Sequence, residues 1–212
     1  MNTIIENLGR IGIIPVVAIE DAGHAPELGR ALLAGGLPCA EITFRTAAAA
    51  AAIEQLSAAH PDIVLGAGTV LTVEQAKTAV SAGAKFIVTP GFDTAVVDYC
   101  LAQAVPIIPG VMTPTEINLA LGKGLRVLKF FPAEAAGGIR TLKAVAGPYA
   151  GVRFIPTGGI TADNLASYLE LPMVHACGGS FMVPKRVIAA GQFDKITALS
   201  AAAVAIVNRV AR

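Results

Sequence analysis

Short β-rich runs recur about every 21–25 residues along this chain: "IIPVVAI" (13–19), "CAEITF" (39–44), "DIVLGAG" (62–68), "KFIVTP" (85–90), "PIIPG" (106–110), "VLKFF" (127–131), "VRFIPTGG" (152–159) and "VHACGGS" (174–180). Gly, Pro or Thr stops most of the runs. Helical segments fill the intervals, among them 25–36, 46–60, 72–84 and 93–103. The repeat length is that of one strand, one helix and two short loops. Eight such units predict a single (β/α)8 TIM barrel over residues 1–212. A short helix over 1–11 precedes the first strand, and 184–212 hold the last helix. The rival is a doubly wound open sheet, which usually has fewer units and often a Gly-rich fingerprint after strand one. Here "EDAGHAPE" follows that strand, with no GxGxxG. No linker or composition break divides the chain, so one domain is expected.

The helix ends carry their own signals. Thr46, Thr72, Asp93 and Thr161 are predicted N-caps, and Gly35 and Gly83 predicted stops. In "PGVMTPTE" (109–116) a cap is expected at Thr113 or Thr115, with Glu116 in the first turn.

Composition removes several classes of partner. Sixteen Lys+Arg against fifteen Asp+Glu leave a net charge of +1, with no basic block and no Trp. That argues against nucleic acid and anionic membrane as partners, while permitting a local anion site. Apolar residues make up 54% and charged ones 15%, which calls for a large interior or a surface covered by another subunit. Cys39, Cys100 and Cys177 form no CxxC pair and read as buried reduced thiols of a cytoplasmic protein. His24, His60 and His175 form no HxH or HxxxH pair, so spacing gives no support to a histidine metal site. "MNTIIENLGRIGIIPVV" has an acid before its first base and no small-residue cleavage site, so no signal peptide is expected. No apolar stretch reaches the roughly 18 residues of a membrane span.

In a barrel the reactive face is built from the carboxyl ends of the strands. The second run alternates: Ala40, Ile42 and Phe44 make one face, and Cys39, Glu41, Thr43 and Arg45 the other. The apolar set should pack on helices and the polar set should point inward. A structural Glu41–Arg45 pair is one reading of that inward face. The sixth run supplies a companion, because Lys129 shares parity with Val127 and Phe131 while Leu128 and Phe130 face the other way. Lys85 also adjoins an apolar run, but at its start, on the inert end, where a lysine can snorkel to water. Lys129 stands near the end of its strand.

Such a lysine can attack a ketone as a neutral amine and form a Schiff base, which withdraws electrons from the neighbouring carbon–carbon bond. Glu41 is then the proton carrier, and Arg45 the bidentate holder of a substrate carboxylate. The Gly158–Gly159 and Gly178–Gly179 pairs let backbone approach an anion closely, with hydroxyls from Thr157 and Ser180. Turn chemistry is the plainer reading of either pair alone. Thr69 in "GAGTV" can reach the mouth, Pro90 in "TPGF" shapes the wall, and Phe131 adds apolar surface beside the lysine.

With "AEITFRT", "GAGTV", "TPGF", "PGVMTPTE", "LKFFPAE", "PTGGI" and "GGSFMVP" in this order, the chain closely resembles the 2-dehydro-3-deoxy-6-phosphogluconate aldolase family, which also includes 4-hydroxy-2-oxoglutarate aldolases. The resemblance runs from about Gly12 to Pro184. It implies a homotrimeric class I aldolase barrel that needs no metal or other cofactor, acting on a phosphorylated 2-keto acid and releasing pyruvate. Carried over by motif, Lys129 is the Schiff-base lysine and Glu41 the general acid/base. Arg45 and Thr69 hold the carboxylate end, and the loops bearing Gly158, Gly159, Gly179 and Ser180 take the phosphate. Ile19, Glu20 and Asp21 depart from members that carry an arginine after strand one. Three alternatives stay open: the same chemistry on 4-hydroxy-2-oxoglutarate or the galactonate-derived epimer, a phosphate-binding barrel isomerase, and a non-catalytic sugar-phosphate binder.

Overall fold

Every predicted run contains a strand, and every strand pairing is parallel. The computed structural model describes residues 3–210, so positions 1–2 and 211–212 of the predicted terminal helices lie outside it. Helix α1 (Thr3–Ile11) leads into β1 (Ile13–Val17), α2 (Ala25–Ala34), β2 (Cys39–Thr43), α3 (Ala49–Ala59) and β3 (Val64–Gly68). Then come α4 (Val73–Ser81), β4 (Phe86–Val88), α5 (Thr94–Ala102), β5 (Ile107–Ile108), β6 (Gly110–Val111) and α6 (Pro114–Gly122). The chain continues through β7 (Val127–Phe130), α7 (Gly138–Ala146), β8 (Arg153–Pro156), α8 (Leu165–Leu169) and β9 (Cys177–Gly179). It ends on α9 (Lys185–Ala189) and α10 (Phe193–Arg209). No described helix is long and apolar enough to cross a membrane.

The ladders form two sheets, ordered β5-β4-β3-β2-β1-β9 and β6-β7-β8, where one continuous eight-stranded barrel was expected. Proline explains one break. Pro109 has no N–H to give to a ladder, and it divides the fifth run into β5, paired with β4, and β6, paired with β7. Between β8 and β9 the sheets meet only at the isolated bridges Phe154–Val174 and Thr157–Gly178. The result is an all-parallel α/β arrangement with its strand ends aligned and its helices outside.

Alternation along the strands sorts their side chains into two cores. Ala40, Ile42, Leu65, Ala67, Ile87, Leu128 and Phe130 join helix residues such as Leu28, Ile53 and Val96 in the outer layer. Cys39, Ile14, Phe86, Val88, Ile108, Val127 and Ile155 make an inner cluster. Ile5 and Leu8, one turn apart on α1, complete that cluster, so α1 seals the amino ends of the strands. Each such buried aliphatic side chain is worth about 1.5–3 kcal/mol.

Most helix signals read correctly. Thr72 and Asp93 accept from the N–H groups of Gln75 and Val96, and Thr113 with Glu116 forms a full capping box. Thr46 and Thr161 do not cap. The Thr46 hydroxyl donates to Ile19 O, three residues before α3 begins, and α8 starts only after Asn164. The predicted last helix is two helices, parted at Gly191 with its φ of +64°.

Candidate active site

Strand β7 turns Lys129 inward beside Val127, as its parity requires, and β2 turns Glu41 inward two residues beyond Cys39. Their side chains meet with Nζ 3.5 Å from Oε1, at 2% and 3% exposure. The ammonium also lies 5.1 Å from the centroid of the Phe131 ring. Glu41 Oε1 accepts no hydrogen bond among the described residues. Taking two ions out of water costs several kcal/mol each, and a contact this long without supporting hydrogen bonds recovers that cost poorly. The pair therefore calls for a reason other than stability.

Room for the carboxylate comes from β3. A Cβ on Gly68 would stand 2.0 Å from Glu41 Oε1 and 2.6 Å from its Cγ. Gly66, two residues earlier, makes the same allowance for Phe86, at 2.3 Å. The glycines of "GAGTV" recur at strand period, the signal that marks close approach of a neighbour.

Arg45 follows β2 at the exposed carboxyl end. Its Nε donates to Thr69 Oγ1 at 3.2 Å, and its side chain makes no ion pair with Glu41, whose partner is Lys129. Thr69 holds a φ of +53°, a left-handed conformation that costs a β-branched residue of order 1–3 kcal/mol. The remaining polar members of the inward face of β2 serve the scaffold. Thr43 Oγ1 donates to Val17 O at 2.7 Å, and Cys39 sits in the inner core, where burial pushes its thiol pKa far up.

A cavity of about 260 Å³ opens beside this group, and Arg45, Phe131, Thr157, Gly158, Gly159, Gly179 and Ser180 line it together. Gly178, the partner of Gly179 in the second glycine pair, also lines it, and Val16 and Ile160, not singled out from sequence, complete the lining. Val16 is the register partner of Glu41, which links the cavity to the buried pair. Lys129, Glu41, Thr69 and Pro90 lie outside the lining itself. Pro90 is half-buried against Gly110, where a Cβ would fall 2.1 Å from Pro90 O. The loop after β1 turns Glu20 away to Lys185, at 2.6 Å.

Peptide geometry shows what the glycine loop offers. Gly158 and Gly159 have φ of +95° and +83°, the left-handed region that glycine enters at no steric cost. Thr157 O accepts from Ala133 N at 2.8 Å, Gly158 O from Glu134 N at 3.0 Å, and Gly159 O from Asn164 Nδ2 at 3.0 Å. In a trans peptide the N–H points opposite to its C=O. The N–H groups of Gly158, Gly159 and Ile160 therefore turn away from those partners, and none of them meets an acceptor among the described residues. Such a set of free donors suits an anion. No three His, Cys, Asp or Glu side chains converge as a metal-ligand set among the described residues.

The sequence and the fold both match known proteins. Residues 4–199 match the family described as KDPG and KHG aldolase. The 2-dehydro-3-deoxy-phosphogluconate aldolase of Treponema pallidum is 54% identical over 208 residues, 98% of this chain and 99% of that one. The KHG/KDPG aldolase of Escherichia coli K12 is 41% identical over 192 residues, 91% of this chain and 90% of the relative. Among solved structures, the KDPG aldolase of Legionella pneumophila with pyruvate captured at low pH as a covalent carbinolamine intermediate superposes with a TM-score of 0.88. It shares 41% identity and is covered over 92% of this chain and 96% of that chain. By sequence and by fold, this chain belongs to the KDPG and KHG aldolase family.

Proposed function

We propose that this chain is a class I aldolase that cleaves 2-dehydro-3-deoxy-6-phosphogluconate to pyruvate and glyceraldehyde 3-phosphate. The observation that carries the reading is the buried Lys129 facing Glu41 at 3.5 Å across the strand ends. The family match and the carbinolamine held by the Legionella relative support it.

Glu41 takes a proton from the Lys129 ammonium, and the freed amine adds to the C2 ketone. Glu41 returns that proton to the carbinolamine hydroxyl, water leaves, and an iminium remains. The Glu41 carboxylate then removes the C4 hydroxyl proton. The C3–C4 bond breaks, its electron pair moves to the imine nitrogen, and the aldehyde departs. Glu41 protonates the resulting enamine at C3, and hydrolysis frees pyruvate and restores the lysine. The dry surroundings strengthen each charge interaction on the way.

Arg45, with Nε steadied by Thr69, holds the substrate carboxylate through its remaining donors. The N–H groups of the 158–160 loop, with Gly179 and Ser180 opposite, take the phosphate. Thr157 and Phe131 wall the space between, and Pro90 supports that wall. The two sheets close through Pro109 and the Thr157–Gly178 bridge into a (β/α)8 barrel that is one domain. We read the protein as a cytoplasmic homotrimer; the exposed Leu71, Met112 and Leu119 are apolar surface that a subunit contact would cover.

Pyruvate release coupled to lactate dehydrogenase, compared across 2-dehydro-3-deoxy-6-phosphogluconate, 4-hydroxy-2-oxoglutarate and the 6-phosphogalactonate epimer, tests the assignment. The highest kcat/KM is expected for the phosphogluconate substrate. Absence of pyruvate from all three contradicts an aldolase.

A further inference from the structure

The loop after β7 carries an acid, Glu134, that the mechanism above does not use. Its backbone N–H, with that of Ala133, holds the carbonyls of Gly158 and Thr157 at 3.0 and 2.8 Å. Its side chain lies across Gly159, where a Cβ would meet Glu134 Cβ at 2.5 Å. One carboxylate oxygen, Oε1, receives a hydrogen bond from the hydroxyl of Tyr168, a fully buried residue of α8. Gly138, with a φ of +61°, leaves that contact open; a Cβ there would stand 2.9 Å from Glu134 Oε1 and 3.3 Å from the Tyr168 hydroxyl. Burial, followed by the bond to Glu134, pushes the tyrosine pKa far up, so the phenol stays a donor throughout the physiological range. Two left-handed glycines have little stiffness of their own. The Gly158 and Gly159 N–H groups share their peptides with the carbonyls of Thr157 and Gly158, so their direction is set by the Ala133–Glu134 segment that grips both.

We infer that Glu134, anchored by Tyr168, is a positioning residue that aims the Gly158 and Gly159 amides at the phosphate end of the substrate. The inference rests on the aldolase reading and extends it to a residue that touches neither the reacting carbons nor the phosphate. Its function is specific to one end of the substrate, which distinguishes it from a general structural acid.

Steady-state kinetics of Glu134→Ala on a phosphorylated and an unphosphorylated substrate test this. The KM for 2-dehydro-3-deoxy-6-phosphogluconate should rise about 10- to 50-fold with kcat within about threefold, since misaimed donors weaken binding at a remote end. The KM for 4-hydroxy-2-oxoglutarate, which carries no phosphate, should stay within about twofold. Glu134→Gln, which keeps an acceptor for the tyrosine, should restore the KM for the phosphorylated substrate to within about threefold of the unsubstituted enzyme. Tyr168→Phe should reproduce the alanine pattern more weakly, and it carries the test if Glu134→Ala fails to fold. Equal rises in both KM values, or no change in either, overturn the proposal. Inorganic phosphate binding, followed by titration calorimetry, keeps the test separate from the aldolase reading. A Kd weakened by Glu134→Ala supports the clamp even in a protein that cleaves nothing, and an unchanged Kd overturns it.

Discussion

Lys85 and Lys129 both adjoin apolar strands, and they sit at opposite ends of the strand set. At the amino end, Lys85 Nζ donates to the carbonyls of Pro61 and Ile63 at 2.5 and 2.9 Å, half-buried and still in reach of water. At the carboxyl end, Lys129 Nζ meets a carboxylate and an aromatic face, with 2% exposure. Carbonyl acceptors hold an ammonium but cannot take its proton. A carboxylate in a dry place can. The surrounding architecture differs in the same sense. The amino end is sealed by Ile5 and Leu8 and flanked by a cavity of about 530 Å³ lined mainly by apolar residues. The carboxyl end has the smaller space, of about 260 Å³, and the glycine loops. Cavity size points to the inert end; the chemistry of the side chains points to the other.

Breaking the contrast at its reactive member should have the largest effect. Lys129→Met should lower kcat/KM by about 10⁴-fold or more, the scale felt when a covalent nucleophile is removed. Glu41→Gln should lower kcat by about 10²- to 10⁴-fold, because only proton transfer is lost. Combined as Lys129→Met with Glu41→Leu, the two changes should leave a folded protein whose melting temperature is equal or higher. Replacing a buried ion pair by apolar side chains is often neutral, or stabilising by about 1–4 kcal/mol. Calorimetry beside the kinetic assay reads both quantities. A double variant that unfolds would show that the pair serves stability.

The next test displaces the carboxylate without altering its chemistry. Gly68→Ala puts a methyl group where Glu41 Oε1 now lies, 2.0 Å from the added carbon. A shift on the order of 1 Å at the acid should cost roughly 10²-fold in kcat, against little change in KM. The inert end should respond in the opposite way. Lys85→Met should leave kcat within about twofold and lower stability by about 1–3 kcal/mol, the worth of hydrogen bonds from a charged donor. Denaturant unfolding and the coupled assay on one preparation check both halves.

The smallest effect is expected at the cap of α6, which depends on charge for its strength. Burial alone would raise the Glu116 pKa. Hydrogen bonds from Met112 N–H and from the hydroxyl and N–H of Thr113 outweigh it and hold the carboxyl below its ordinary range. A carboxyl depressed in the folded state contributes stability above its unfolded pKa and loses it as pH falls through the folded one. Glu116→Gln should therefore lower the melting temperature by a few degrees near pH 7, for a cap worth about 1 kcal/mol. The gap should close below about pH 4. Thermal melts from pH 3 to 7 read it directly, and a gap that widens on acidification contradicts the assignment.

How much of this was legible in the sequence depends on the range of the physics involved. Strand period and strand parity are local. They placed every strand run, turned Cys39, Glu41 and Lys129 inward, and separated Lys129 from Lys85. Thr113 was legible for the same reason, since a cap and its Glu lie within one turn. Features decided by distant partners were missed. The Thr46 hydroxyl donates to Ile19 O in the loop after the neighbouring strand β1, which leaves α3 uncapped by a side chain. Pro109 divides a run that reads as one strand, because the missing N–H matters only once neighbours on both sides are known. The clearance at Gly68 has no meaning until Glu41 is seen beside it, and Glu134 reads as the tail of a motif until Tyr168 reaches it from α8.

The amine itself offers the most direct measurement. Borohydride added to the protein with pyruvate, followed by peptide mapping, should leave a reduced pyruvyl increment on Lys129 and none on Lys85. Loss of the increment in Lys129→Met would complete the assignment. An increment carried by Lys85 or another lysine, or a Lys129 peptide unmodified under turnover, would contradict the account.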